Sequence, residues 1–90
     1  MEHYLKIYPE YYEAVASKDK PFEVRKNDRE YQVGDKLILR ECNGRCSGRY
    51  ITADVSYVLN NPQFCAKGYV ILGLKNINDS FDVTMATLNY

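Results

Sequence analysis

Alternation of side-chain character predicts a β-strand at the start of the chain. Successive side chains of a strand point to opposite faces, and over residues 3–8 one face carries Leu5 and Ile7. His3 shares that apolar face, whereas Lys6 lies on the other face between two tyrosines. At most one of His3 and Lys6 is therefore expected to reach a given cleft beside this strand.

A helix is predicted directly after this strand. Pro9 opens it, because proline at the first helical position loses no hydrogen bond, and Glu10 suits the positive end of a helix. The helix should stop near Ser17 or Lys18, before Pro21 forces its neighbour out of helical geometry. Three apolar residues recur at the i, i+3, i+4 spacing of one helix face: Tyr12, Val15 and Ala16.

The most informative segment is a short charged strand predicted over residues 21–26. Glu23 and Arg25 lie on one side of it, and Phe22 and Val24 lie on the other. We expect the apolar pair to anchor in the core and the charged pair to face a cleft.

Three further strands are predicted over residues 36–42, 50–59 and 68–75. Asn43-Gly44 is a hairpin signal between the first two. Residues 68–75 are apolar on both faces, which predicts a central strand.

The pattern fades after residue 76, where apolar residues such as Phe81, Val83 and Leu88 follow no clean period. We therefore predict one domain over residues 1–76, followed by a C-terminal extension over 77–90 that is either a docked segment or a frayed tail. One helix after the first strand, followed by strands bounded by turns, predicts an α+β, mainly β fold. The expected architecture is a small mixed β-barrel whose helix covers one opening.

Charge excludes a general electrostatic affinity for nucleic acid, because 12 Lys and Arg balance 12 Asp and Glu. Between Lys18 and Arg49, nine basic residues face six acidic ones, which makes a modest basic patch. No run of about 18 apolar residues is present to span a bilayer, so a cytoplasmic location without membrane contact is expected. Three cysteines without a secretory signal favour reduced thiols over a disulfide framework.

The spacing Lys20-x-x-Glu23-x-Arg25 resembles the signature of the ASCH domain family of the PUA-like superfamily, Gly-x-Lys-x-x-Glu-x-Arg. Lys18 occupies the place of the signature glycine. The runs H-x-L-K-I from residue 3, F-E-V-R-K-N-D-R from residue 22 and V-G-D from residue 33 also resemble a branch of small, mostly uncharacterised bacterial and phage proteins within that superfamily. The resemblance covers residues 2–74.

This resemblance implies a β-barrel that holds RNA or a nucleotide in a cleft between its first helix and the barrel. Some ASCH proteins are small hydrolases that deacylate a modified cytidine with a lysine, a threonine and a glutamate, and others are regarded as RNA binders or regulators. Lys20 and Glu23 match the signature. The hydrolase threonine would fall on Glu23 itself, so the catalytic set is not reproduced.

Two interpretations of the charged segment remain open. Lys20, Glu23 and Arg25 are either a cradle for a phosphate or carboxylate or an ion-pair network that steadies the strand. Lys26 and Arg29 either extend that cradle or belong to a polar turn. Lys6 is a further ligand candidate, because the tyrosines at positions 4 and 8 suit stacking beside a cation.

Other residue types offer weaker candidates. A lone histidine more often has a structural than a catalytic role, and His3 is the only histidine. Three tyrosines near the charged segment could stack on bases: Tyr11, Tyr12 and Tyr31. The cysteine spacing does not fit a zinc knuckle, and neither a phosphate-binding glycine loop nor a nucleophile elbow occurs. No metal and no cofactor is therefore predicted.

The leading hypothesis is a domain that binds RNA or a nucleotide-like molecule, with six ligand-binding residues: Lys6, Lys20, Glu23, Arg25, Lys26 and Arg29. The first alternative is a metal-independent hydrolase of an acylated nucleoside, with Lys20 as the activated group and Glu23 as acid or base. The second is a protein-interaction module of phage or mobile-element origin. The sequence leaves the oligomeric state open.

Overall fold

A five-stranded mixed sheet, curled into a half-barrel, dominates the computed structural model, which describes residues 1–87. The strand order is β1-β3-β4-β5-β2, with β1 parallel to β3 and the other pairs antiparallel. The predicted mainly β fold with one helix after the first strand is confirmed. The elements are β1 (Glu2–Ile7), α1 (Pro9–Ala16), β2 (Phe22–Lys26), β3 (Lys36–Asn43), β4 (Arg45–Leu59) and β5 (Tyr69–Thr87).

Helix α1 begins at Pro9, as its sequence predicts, and ends at Ala16, just before the predicted stop near Ser17 or Lys18. Tyr12 and Val15 on its apolar stripe are fully buried, and the helix packs against β3 and β5. Burial of an apolar side chain such as that of Val15 contributes about 1.5–3 kcal/mol to stability. Over residues 1–87, no helix is long and apolar enough to cross a membrane.

The β3–β4 hairpin turns at Gly44, whose φ of 77° lies in the left-handed region. The hairpin places Cys42 directly opposite Cys46, and a disulfide joins them. The prediction of reduced thiols is therefore wrong for this pair, because the register of the hairpin brings together two residues that spacing alone did not pair. Cys65 is a free thiol.

Strand β5 lies between β4 and β2, as predicted for a strand that is apolar on both faces. The prediction ended it at residue 75, whereas β5 continues to Thr87 along the long partner β4. Irregularities in the pairing with β4 shift the register three times, and Asn76 has a φ of 54°. These interruptions hide the period of two in the sequence. The end of the predicted extension, residues 88–90, lies outside the described residues.

Candidate functional site

The two edge strands of the curled sheet, β1 and β2, border an open seam. Arg25 of β2 crosses this seam, because its Nη2 donates a 2.7 Å hydrogen bond to the carbonyl oxygen of Lys6 on β1. The half-barrel is thus bridged here by a guanidinium group instead of a backbone ladder.

Two adjoining clefts lie along the seam, and Lys6 and Arg25 line both of them. The first, the aromatic cleft, has a volume of about 430 Å³, and its lining includes Tyr8, Tyr11, Lys20, Glu23 and Val24. The second, the basic cleft, has a volume of about 330 Å³, and its lining includes Tyr4, Lys26, Asp28, Arg29 and Tyr31. Arg25 therefore stands at the junction between the two clefts.

Glu23 is buried at the floor of the aromatic cleft, with 3% of its surface exposed. Lys20 Nζ donates to its Oε1 at 2.7 Å, and Arg25 Nε donates to its Oε2 at 2.9 Å. Lys20 Nζ also donates to the Phe22 carbonyl at 3.0 Å. Each oxygen of the buried carboxylate thus has a cationic donor, which is what burial of a charge requires.

Strand β2 turns the opposite face to the core from the one that its sequence predicts. Phe22 and Val24 were expected to anchor in the core, but they are 40% and 51% exposed. Glu23 and Arg25 turn inward instead, because each satisfies the charge of the other and Arg25 finds the Lys6 carbonyl. The prediction that the charged pair shares one face is confirmed.

All six predicted ligand-binding residues line at least one of the two clefts. Arg29 Nε lies 4.0 Å from Asp28 Oδ1, and both side chains are largely exposed, so this pair is held weakly. The clefts together are lined by five cationic residues and two acidic ones. The seam is therefore positive in a chain whose net charge is zero.

Aromatic rings surround the cationic groups of the aromatic cleft. Lys20 Nζ lies 5.5 Å from the ring centre of Tyr11, within range of a cation–π contact. Tyr8 lines the same cleft; it flanks Lys6 on one strand face but was not among the three tyrosines singled out for stacking on bases. Tyr12 does not join them: it is fully buried, with Arg49 4.5 Å from its ring centre.

His3 has a structural position on the opposite face of β1 from Lys6, as predicted. A 2.8 Å hydrogen bond joins its Nε2 to Asp35 Oδ2, and its ring meets that of Tyr31 edge-on at 4.8 Å. The bond to His3 is the main cause that lowers the pKa of Asp35. Burial raises the pKa of Tyr31. Together these contacts hold the loop that precedes β3 against β1.

Within residues 1–87, no group of three or more His, Cys, Asp or Glu side chains is placed to hold a metal ion. His3 is engaged with Asp35, and Cys42 is bonded to Cys46.

Comparison with known proteins places this domain in a family. The family described as "Domain of unknown function (DUF3850)" matches residues 2–74, which include β1, α1 and the whole charged segment. This chain belongs to the DUF3850 family. The matched region contains every residue described as lining the two clefts, so the seam is part of the family domain.

A phage protein is similar to this DUF3850 chain. It is named "Uncharacterized 12.9 kDa protein in GpA 3'region", from Escherichia phage P2, and is 35% identical over 71 residues. The alignment covers 78% of this chain and 64% of the phage protein, so the chain spans a little under two thirds of that relative. The predicted link to small phage proteins is thereby confirmed at the level of the family.

Proposed function

We propose that this chain is an ASCH-type domain that binds RNA or a nucleotide-like ligand along the seam. The ligand's phosphate lies in the basic cleft, and its base lies in the aromatic cleft. One observation carries the proposal: Arg25 stands between the two clefts with its guanidinium at the junction, held by Glu23 and by the Lys6 carbonyl. A planar guanidinium is well suited to phosphate, which it contacts through two N–H groups at once.

The lining of each cleft supports this division. In the basic cleft, Lys26 and Arg29 are exposed and lie beside Arg25, which suits a phosphate group. In the aromatic cleft, Tyr8 and Tyr11 are 61% and 47% exposed, so their rings are available for a base to stack on.

The backbone at Lys18 supports the ASCH assignment. This residue occupies the place of the signature glycine and has a φ of 69°, in the left-handed region that favours glycine. The tight turn that the signature glycine permits is thus present despite the lysine. It sets the course of the chain from α1 to Lys20.

Binding can be tested by fluorescence anisotropy and thermal shift with nucleosides, 5′-mononucleotides and short RNAs. Arg29→Ala should weaken binding of phosphorylated ligands about tenfold, the size expected for one lost charge-assisted contact. It should leave the melting temperature nearly unchanged, because the Arg29 side chain is exposed. Arg25→Ala should weaken binding further. Because this substitution also removes a hydrogen-bond partner of the buried Glu23, circular dichroism must show that the variant is folded.

Lys67→Ala is the matched control, since it removes one exposed cation that lines neither cleft. Equal affinity of parent and Arg29→Ala, with both folded, would contradict the proposal. Mass spectrometry of the same mixtures, with acylated cytidines added, separates binding from turnover. Product formed by the parent and lost in Lys20→Ala would indicate the hydrolase instead.

A further inference from the structure

The outward surface of β2, β5 and β4 carries apolar side chains in register. Phe22 pairs with Gly73, which pairs in turn with Tyr57, so these three residues form one row across the three strands. The next row on the same face joins Val24 to Ile71 and Leu59. We call this surface the outer aromatic face, and it consists of Phe22, Val24, Tyr57, Leu59, Tyr69 and Ile71.

The aromatic residues of this face are open to solvent. Tyr57 is 63% exposed, and Phe22 and Tyr69 are each 40% exposed. Gly73 places no side chain between Phe22 and Tyr57, whose strands lie about 10 Å apart, or two inter-strand spacings. Gly73 has no left-handed φ, so its backbone conformation alone does not demand glycine. A Cβ at Gly73 would lie 2.9 Å from Ser56 Oγ and 3.4 Å from Tyr57 Cβ, so the glycine permits the close approach of β4 between the two exposed rings.

The outer aromatic face is continuous with the seam across the edge strand β2. Val24 belongs to the outer face and also lines the aromatic cleft. Lys20 Nζ, inside that cleft, lies 5.1 Å from the ring centre of Phe22. A ligand that extends from the aromatic cleft over β2 would therefore pass Val24 and Phe22.

The charges on this surface favour an anionic partner. The outward positions of the three strands carry Lys26, beside Tyr69, and Lys75, beside Asp54. Asp54 is already paired with Lys36 at 2.9 Å. Exposed aromatic rings next to cations, with the nearby carboxylate neutralised, suit bases and phosphates better than an acidic protein surface.

We infer that the outer aromatic face is a stacking platform for single-stranded RNA that extends out of the seam across β2. The inference rests on the proposed function, because the seam is taken to hold one nucleotide of the same strand. It adds a ligand class: an oligonucleotide that binds more tightly than a mononucleotide does.

The test measures the affinity of a labelled eight-nucleotide single-stranded RNA of mixed sequence and, by competition, that of 5′-mononucleotides. Tyr57→Leu should lower the RNA affinity about tenfold while mononucleotide affinity stays unchanged, since base–ring stacking is lost and apolar bulk is kept. Tyr57→Phe should restore the parent's affinity. Phe81→Leu is the matched control, because Phe81 is 61% exposed and lies far along β5 from the outer aromatic face.

The outcomes separate the two claims. If Tyr57→Leu binds RNA like the parent while Arg29→Ala weakens both ligands, the platform is wrong and the seam site stands. If the parent binds mononucleotides but binds the RNA no more tightly, the platform is wrong and the seam site stands. If the parent binds neither ligand, both claims are wrong. If Tyr57→Leu changes only self-association, measured by analytical ultracentrifugation, the surface contacts protein and the inference is overturned.

Discussion

Glu23 Oε2 accepts a 2.9 Å hydrogen bond from Arg25 Nε, although the two residues lie only two positions apart on one strand. Because both point inward from an edge strand, the pair replaces part of the apolar core that β2 would otherwise supply. Lys20 closes the other side of the carboxylate. The stability of the domain and the shape of its aromatic cleft therefore depend on the same ion pairs.

Glu23→Gln should destabilise the fold by about 3 kcal/mol, because it leaves two largely buried cations without their carboxylate. The side chains of Lys20 and Arg25 are each only 21% exposed, so water compensates little. Urea unfolding followed by circular dichroism measures the change. Glu30→Gln, at an exposed carboxylate, is the control and should shift stability by less than about 0.5 kcal/mol. Equal urea midpoints for the two variants would show that the ion pairs of Glu23 with Lys20 and Arg25 contribute nothing to the stability of the fold.

Lys18→Gly should stabilise the protein by about 1 kcal/mol, because a lysine at a φ of 69° has a steric cost that glycine lacks. For a domain of this size, that corresponds to a rise in melting temperature of roughly 4–8 °C. Lys67→Gly is the control, since Lys67 is not in the left-handed region. It should be neutral or destabilising, and a lower melting temperature for Lys18→Gly would be inconsistent with the strained turn.

Lowering the pH should remove the contribution that the ionised Asp35 carboxylate makes to the stability of the fold. Its pKa is lowered below the usual value of 3.8 in the folded state, mainly by the bond to His3. A carboxyl with a depressed folded-state pKa stabilises the protein above its unfolded pKa, and this stabilisation is lost as the pH falls through the folded pKa. Asp35→Asn should be less stable than the parent at pH 7, and the difference should shrink below about pH 4.

Unfolding free energies measured from pH 7 down to pH 2.5 test this expectation. Asp19→Asn, at an exposed carboxylate in a turn, should track the parent across the range. If the difference in unfolding free energy between the parent and Asp35→Asn stays constant with pH, the carboxylate charge is not what stabilises the loop.

Alkylation should distinguish the cysteines. Iodoacetamide added to folded, non-reduced protein should modify Cys65 alone, because Cys42 and Cys46 are joined. Closing so short a loop contributes about 2 kcal/mol by the chain-entropy model, so a thiol reductant should lower the melting temperature. The Cys42→Ala/Cys46→Ala double variant should show no response to reductant. Three alkyl groups on the untreated protein would contradict the disulfide.

Local sequence patterns predict the helix and strands of this fold well, because residues within each segment determine its secondary structure. Pro9 and the stripe that includes Tyr12 and Val15 specify α1, and apolar residues on both faces mark β5 as central. The extension of β5 was missed because its alternation is broken where the register against β4 shifts. The Cys42–Cys46 bond was missed because it depends on the register of a hairpin.

The candidate site shows a different limit of sequence reasoning. Alternation correctly grouped Glu23 with Arg25, but a period of two does not say which face is the inside. That choice depends on a partner 19 positions away, the Lys6 carbonyl, which no local pattern contains. The place of Tyr8 beside Lys20 was not predicted for a related reason: only the curl of the sheet brings the end of β1 close to Lys20.

Because β1 and β2 are joined across the seam by the Arg25 guanidinium, a ligand can take the place of the protein's own hydrogen-bond acceptor there. A phosphate that takes Arg25 Nη2 away from the Lys6 carbonyl exchanges one acceptor for another, while a backbone ladder would offer no such exchange. Occupancy of the seam and the contact between β1 and β2 would then be thermodynamically linked, each altering the equilibrium of the other by the same factor. In that case the residue that recognises the ligand is also the residue that fastens the two edges of the sheet.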